Sequence, residues 1–375
     1  MIDYVEIKNA DRVTIGIVDT AKSVIWHSVY FGVGDFEIYA QATPQNLTLL
    51  KKGYFVTRQN NDEVGIIEEI KVDFNITDGY MITAVGRFAK ILIDRRIIYK
   101  LSGHTNTPTI LRGNVEIAVR QTVLNNAIDC TFDSRRNIAM LGLAGLNNLT
   151  PVIVDESGHA AQKQVSYKNL MEYTDSVLQE YGMSAKVIYN DSNKKLLYSV
   201  FMGADRSMEN TEGNDPVIFS VDYDNLLSST YDLNDTDYRN AALIGGEGEG
   251  LERFYSLLRG QQSGLQLREI FVDASSINRT YENDEEEEQT YTDAEYTEML
   301  NQEGKAVLQE HIVQETFTGE INATFGAWKY GQDYFLGDIV TVQDNLINKY
   351  IDSRITEVTE VQDENGYTVD VVFGE

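Results

Sequence analysis

The chain has 375 residues, 42% of them hydrophobic and 10% aromatic, too many for one small core, and two to four domains are expected. A formal charge of −28, from 59 acidic and 31 basic residues, excludes nucleic acid or an anionic membrane as a bound ligand. The single cysteine, Cys130, excludes an intrachain disulfide and suits assembly in a reducing cytoplasm.

The first residues, Met1 to Glu6, lack the basic and apolar regions of a secretion signal, so none is expected. No apolar stretch approaches the ~18 residues of a membrane-spanning helix. Asn-x-Ser/Thr triplets such as Asn46–Thr48 and Asn322–Thr324 are then chance matches. Residues 1 to about 86 read as β. Phe36, Ile38 and Ala40 alternate with Glu37 and Tyr39, and Ile70, Val72, Phe74 and Ile76 alternate with Lys71, Asp73, Asn75 and Thr77. Asp78-Gly79 follows as a hairpin turn. Such alternation fits antiparallel sheets with one packed and one wet face. Phe88, Ile91 and Leu92 then fall at helical spacing. Arg95 and Arg96 either close that helix at its negative pole or open the next strand.

In the middle of the chain Asn114 predicts an N-cap for a helix presenting Val115, Ala118, Val119 and Val123. Ser166 predicts the cap of a longer helix with Leu170, Tyr173, Val177, Leu178 and Tyr181 on one face, stopped by Gly182. A hairpin follows, Ala185–Tyr189 and Leu196–Phe201 around Asn190–Asn193. Two helices and a hairpin within about 100 residues predict an α+β domain inserted into β structure. The β pattern returns at Val217–Val221.

The run Arg239–Phe254 places a short apolar stretch, Ala241–Ile244, before Gly246-Glu-Gly-Glu-Gly250 and then Leu251 and Arg253. The spacing is not G-x-G-x-x-G, no Lys-Ser/Thr follows, and Glu247 and Glu249 would face phosphate oxygens, so no nucleotide site is assigned. A strand with a bulge or a close backbone approach accounts for the glycines. Glu282–Glu288 reads as a solvated loop; four adjacent Glu without a turn-forming Gly lack the geometry of a calcium loop. Asp293 to about Gln309 predicts an acidic helix with Met299, Leu300, Val307 and Leu308 inward, weakened by Gly304. The last 60 residues are β again. Phe317, Gly319, Ile321 and Ala323 alternate with polar residues. Asn365-Gly366 turns the Ile355–Val361 strand into Tyr367, Val369, Val371 and Phe373. With strands near both ends, a barrel can close between the termini.

Chemistry is sparse. His27, His104, His159 and His311 are isolated, and His311–Glu315 lacks the second His of a zinc pair. Cys130–Asp133 carries no catalytic signature, and Ser157-Gly158-His159 is turn-like rather than a nucleophile elbow. No catalytic, cofactor-binding or metal-ligating residue is assigned, and no cofactor is expected.

Four stretches carry a family resemblance: Gly34–Ile38, Gly86–Ile98 with its paired arginines, Arg239–Phe254, and Asp333–Val342 with Arg354–Val358. In this order they resemble the hub proteins at the tail tip of long-tailed phages. These are of the tail-associated lysin type, whose N-terminal part is similar to the central hub of contractile-phage baseplates. The resemblance implies a β-rich α+β, multidomain fold of interleaved tail-tube-like β-barrels with an inserted α+β domain. The expected division is 1–100 barrel-like hub domain, 101–205 inserted α+β domain, 206–325 mixed β segment with acidic loop and helix, and 326–375 strands returning to a barrel. It also implies a homotrimer forming a ring or dome that closes the tail channel until genome ejection. Implied partners are the distal tail protein and other baseplate or tail-tube proteins, with receptor-binding proteins contacted indirectly and DNA only as passing cargo. An acidic channel wall would let DNA slide past. The implied location is the tail tip of the virion, after assembly in the host cytoplasm. Lytic activity in this family usually sits in an extra C-terminal domain, which a sequence ending at Glu375 is expected to lack. Arg87, Arg95, Arg96, Gly246, Gly248, Gly250, Arg253, Gly337 and Asp338 are the structural or assembly candidates. The alternative, suggested by the 22 Tyr and the acidic surface, is a glycan-active enzyme or carbohydrate-binding protein.

Overall fold

A computed structural model describes residues 4–59, 61–154, 158, 160–282, 288–321, 328–346 and 348–374. Ser157, His159, most of the Glu282–Glu288 run, the Asn322–Thr324 triplet and the end of the Phe317–Thr324 alternation lie outside the described residues. The chain divides into two compact units, Met1–Thr230 with Phe317–Glu375, and Tyr231–Thr316.

The first unit opens with β1 (Val5–Lys8), β2 (Thr14–Val18), β3 (Ala21–Val29), β4 (Asp35–Gln41), α1 (Pro44–Leu49), β5 (Phe55–Arg58), β6 (Asn61–Asn75) and β7 (Gly79–Phe88). These strands pair antiparallel in the order β2-β1-β5-β6-β7-β4-β3. The period-2 alternation sends Phe36, Ile38 and Ala40 inward to zero exposure, as expected. Trp26 packs between Phe36 and Phe88, with ring centroids 5.6 and 4.8 Å away. The end of the β6–β7 hairpin differs from the expected half-packed strand. Val72, Phe74 and Ile76 are 47, 64 and 96% exposed, since the hairpin runs past the layer that would cover them.

Next come α2 (Ile91–Asp94), a two-residue hairpin β8 (Leu101–Ser102) and β9 (Thr105–Asn106), β10 (Thr109–Arg112), α3 (Val115–Val123), β11 (Leu141–Leu143), β12 (Gln162–Val165) and α4 (Leu170–Glu180). The chain continues through β13 (Ser184–Asn190), β14 (Lys195–Phe201), β15 (Asp205–Arg206), β16 (Ile218–Ser220) and β17 (Leu226–Asn234). Asn114 caps α3, accepting from Ile117 N. The cap of α4 is Asn169 rather than Ser166. Its side chain takes the N–H groups of Met171 and Glu172, while the Ser166 hydroxyl is occupied by Asn106. Gly182 follows α4 with φ +65°, the expected left-handed stop. β13 and β14 form the expected antiparallel hairpin, β11 adds in parallel, and Leu170, Val177 and Leu178 of α4 share a core with Val187 and Tyr198.

The second unit holds β18 (Ala241–Gly245), β19 (Tyr255–Arg259), β20 (Glu269–Asp273), the hairpin β21 (Thr280–Glu282) and β22 (Glu288–Thr290), and α5 (Asp293–Glu310). β18 is central, antiparallel to β19 and parallel to β20. Thr292 and Glu295 close a capping box at the start of α5. The helix buries Tyr296 and Leu300 against Ala242 and Ile244, with Met299, Val307 and Leu308 partly buried as expected. Gly304, read as a weak point, lets the helix sit close: a Cβ there would lie 2.7 Å from Ile244 Cδ1.

β23 (Gln314–Ile321) returns to the first unit, followed by β24 (Ile339–Asp344), β25 (Lys349–Asp363) and β26 (Gly366–Gly374). β25 pairs with β26 through the expected Asn365-Gly366 turn, and with β24 and then β3 along its other edge. N- and C-terminal strands therefore share one sheet, as interleaving requires. The fold is β-rich with several sheets and an α+β insertion. Among the described residues the ladder stays open: β1 and β26 do not pair, β2 pairs with β1, β17 pairs with β23, and no barrel closes.

Candidate functional site

Beyond the end of β3, Tyr30 is fully buried and gathers segments from across the first unit. Its hydroxyl donates to the Gly182 carbonyl at 2.9 Å and accepts from Gly203 N at 3.2 Å. The Ser184 hydroxyl donates to the Tyr30 carbonyl. Arg354 of β25 lies 5.3 Å from the ring centroid and donates to the Gly337 carbonyl at 2.6 Å. Gly337 has φ +92°, and a Cβ there would stand 2.1 Å from Tyr30 Cε2, so only glycine permits this approach. Asp338, 3% exposed, accepts from Ala204 N at 2.8 Å, Arg206 Nε at 2.9 Å and Phe335 N at 3.0 Å. A carboxylate supplied with donors in this way tolerates burial. Gly337 and Asp338 thus pin the C-terminal strands to the α+β hairpin and to β3.

Against this junction lies a cavity of ≈680 Å³. Glu63 of β6 stands in its wall, half-buried with its carboxyl enclosed, and accepts from the Ser28 hydroxyl at 3.0 Å. Its bridge to Ile188 ties β6 to β13. Burial pushes the Glu63 carboxyl up to about 7, against the opposing pull of Lys186 and of the Ser28 hydrogen bond. Lys186 itself holds Asp62 at 2.8 Å. His27, isolated in sequence, lies between Asp35 at 3.1 Å and Glu357 at 3.0 Å, across the β3–β25 seam. Burial lowers its pKa, but hydrogen bonds to Asp35 and Glu357 outweigh it, and the net shift is upward.

Arg87 and Arg95 meet at Glu68, the residue bulged out of β6 between Ile67 and Glu69. Arg87 binds it through two nitrogens, at 2.7 and 3.1 Å, and Arg95 reaches it at 3.9 Å. The Arg87 hydrogen bond is the main cause holding the Glu68 carboxyl below its ordinary range. The paired arginines do not open a strand. Arg95 is the C-cap of α2 and Arg96 follows in irregular backbone, because the chain turns at once to run beside Asn169. Arg96 donates to the Arg136 carbonyl at 2.7 Å instead of meeting a carboxylate.

In the second unit the glycine segment is the loop between β18 and β19. Gly246 N donates to the Phe254 carbonyl at 2.8 Å, and Phe254 N to Glu247 at 3.0 Å. A Cβ on Gly246 would lie 2.7 Å from the Tyr296 hydroxyl. Gly248 has φ +101°, with the Glu252 carbonyl 2.7 Å from the Cβ position. Gly250 has φ +58° and open space around it. Arg253 folds back over the loop, donating to the Gly245 and Gly246 carbonyls at 2.8 and 3.1 Å and pairing with Asp273 at 2.5 Å. Glu247 accepts from Arg279 N at 2.7 Å. The polar groups of Gly245, Gly246 and Glu247 are engaged by the protein itself, which is the close-approach geometry the glycines predict.

The candidates therefore fall into four places: Glu68 with Arg87 and Arg95, the Arg136 carbonyl with Arg96, the Tyr30 junction with Gly337 and Asp338, and the β18–β19 loop with Gly246, Gly248, Gly250 and Arg253. Sequence reading missed Tyr30, Gly203, Arg206 and Glu63. Their partners lie more than 100 residues away in most cases, and no local spacing marks them. Among the described residues, no three His, Cys, Asp or Glu side chains cluster closely enough to hold a metal ion.

Residues 4–375 match the family described as Siphovirus ReqiPepy6 Gp37-like protein. The tail protein from Neisseria meningitidis MC58 has a similar structure, with a TM-score of 0.58 at 12% identity, covering 100% of this chain and 96% of that one. The 43 kDa tail protein of prophage MuSo2 from Shewanella oneidensis gives 0.57 at 10% identity, covering 99% and 98%. Prophage tail protein gp18 from Listeria monocytogenes EGD-e gives 0.50 at 11%, covering 100% and 94%. No curated protein matches the sequence. At these identities the likeness is one of fold.

Proposed function

The chain belongs to the family of Siphovirus ReqiPepy6 Gp37-like proteins, and from that premise we propose that it is a structural hub at the distal tip of a phage tail. In this reading three copies form a dome or ring that closes the tail channel until genome ejection and anchors the distal tail protein and other baseplate proteins. It acts without catalysis, is assembled in the host cytoplasm and ends in the virion. The observation that carries the reading is the family match along residues 4–375, on a fold shared end to end with phage tail proteins.

Three features of the chain support it. Among the described residues the ladder ends in β2 on one side and β17 on the other, and closed symmetry satisfies the edges of an open ladder without runaway growth. The β6–β7 hairpin carries Val72, Phe74, Ile76 and Tyr80 exposed together, an apolar surface suited to a neighbouring subunit. The charge of −28 suits a channel past which DNA slides. Within this proposal Arg87, Arg95 and Arg96 and the β18–β19 loop serve assembly, and the four-part domain division is kept. Light scattering at micromolar concentration is expected to give a homotrimer, and antibody labelling of tails to mark the tip. A monomer both alone and with tail partners, or label elsewhere on the virion, overturns the proposal.

A further inference from the structure

A second cavity of ≈420 Å³ opens on the other side of Tyr330, sharing Asn61, Tyr330 and Gly331 with the cavity beside Glu63. Its size lies in the range of about 300–1,000 Å³ usual for small-molecule sites. Local sequence makes the aromatic wall rigid. Gly331, at φ +79°, turns the chain so that Tyr330 bridges to Tyr334, with ring centroids 5.6 Å apart. Tyr334 is itself anchored edge-on to Phe219 at 5.1 Å. Trp328, half-buried, and Tyr367, 38% exposed, add two further ring surfaces.

The floor is polar. Glu360 and Arg58 pair at 3.0 Å with side chains 10% and 4% exposed, and the Tyr367 hydroxyl donates to Glu360 at 2.6 Å. In the neighbouring cavity beside Glu63, Lys186 holds Asp62 at 2.8 Å and Arg206 holds Asp338 at 2.9 Å. The charged groups lining the cleft are Arg58, Glu360 and Lys329; the two buried ones, Arg58 and Glu360, neutralise each other, and Lys329 stands exposed to solvent. The overall charge of −28 further disfavours an anionic ligand. Ring faces over a floor of charged hydrogen-bonding groups suit a ligand with an apolar face and several hydroxyls.

We propose that this cleft binds a neutral saccharide. The apolar face of a sugar ring stacks on Trp328 and Tyr330, while Arg58, Glu360 and the exposed amide of Gln332 meet its hydroxyls. The site does not rest on the hub reading, since failure of the trimer leaves it standing.

The chain carries its own reporter. Of its two tryptophans, Trp26 is fully buried in the core, so a ligand in the cleft alters the emission of Trp328. Titration of the full chain with maltose and with N,N′-diacetylchitobiose is expected to give a saturable emission shift with at least one of them. Calorimetry should give the same affinity. Gln332→Ala, on an exposed turn, is expected to weaken binding about fivefold, the worth of one hydrogen bond, with an unchanged melting temperature. Trp328→Ala is expected to weaken it further. Absence of saturation with both sugars up to about 50 mM, where even Kd values near 10 mM are visible, overturns the proposal. So does binding that both variants leave unchanged. Adenosine binding as tightly as the sugars also overturns it, by showing a general stacking platform.

Discussion

Glu63→Gln isolates the one strongly perturbed acid at the seam between the β ladder and the α+β hairpin. The carboxyl titrates near 7 in the folded chain against 4.5 for an ordinary Glu, chiefly because burial disfavours its charged form. The folded state therefore binds this proton more tightly than the unfolded state. Its stabilising effect is complete below about 4.5, falls as pH rises towards 7, and does not return above that. The gap between 4.5 and about 7 corresponds to about 3 kcal/mol at ~1.36 kcal/mol per pH unit. Glu63 is half-buried beside an open cavity, so water offsets part of this, and about 1–2 kcal/mol is expected. Glutamine mimics the neutral acid and keeps an acceptor for Ser28. Urea denaturation of both proteins from pH 4 to 8.5 should show near-equal stability at pH 4, below the ordinary Glu value. By pH 8 the variant should be about 1–2 kcal/mol more stable. His27, whose raised pKa also makes stability fall with rising pH, is common to both proteins and cancels in the difference. A difference independent of pH, or a variant less stable at pH 8, would refute the reasoning.

Gly337→Ala drives a methyl group into the Tyr30 ring at a backbone angle L-residues rarely adopt. A loss of about 3–5 kcal/mol is expected in denaturant titrations, and a loss under about 1 kcal/mol would show that the junction yields. In the β18–β19 loop, Gly246→Val and Gly248→Val should each cost about 1–3 kcal/mol, whereas Gly250→Asn, with open space around it, should be nearly neutral. Thermal scans of Glu247→Gln and Glu249→Gln with and without ATP are expected to show no nucleotide-dependent shift; stabilisation by ATP would restore the phosphate-loop reading. Arg95→Ala, which removes only a 3.9 Å exposed contact to Glu68, should change the melting temperature little, while Arg87→Ala, breaking two hydrogen bonds, should lower it more. Equal effects from the two would contradict the geometry at Glu68.

Much of the local structure was legible in the sequence because it depends on neighbouring residues. Phe36, Ile38 and Ala40 alternate because a strand has period 2, Asn114 caps α3 because its side chain reaches a free N–H three residues on, and Asn365-Gly366 turns because Gly366 takes φ +131°. The close-approach role of Gly246 was legible for the same reason, since few residues but glycine suit that loop. Local reading failed where two candidates competed. Ser166 and Asn169 both suit a cap, but α4 begins at Leu170, so it is the Asn169 side chain that reaches the free N–H groups of Met171 and Glu172. For Arg95 and Arg96 it left two alternatives open, and the structure decides for the first, with Arg95 as the C-cap of α2 and no strand opening there.

Only the tertiary structure decided the rest. Nothing near Gly337 in sequence announces Tyr30, 307 positions earlier, as the ring that forbids a Cβ there. Nothing near Glu63 announces Ser28 and Lys186, whose packing encloses its carboxyl. Nor does alternation say whether the ladder closes: it fixes which face each residue takes, whereas closure depends on the partners of β2 and β17. Sequence determined the elements of this protein because hydrogen-bonded turns and periodic burial are short-range. The junction and the cleft arise where strands distant in sequence share one sheet, and their chemistry is a property of that pairing.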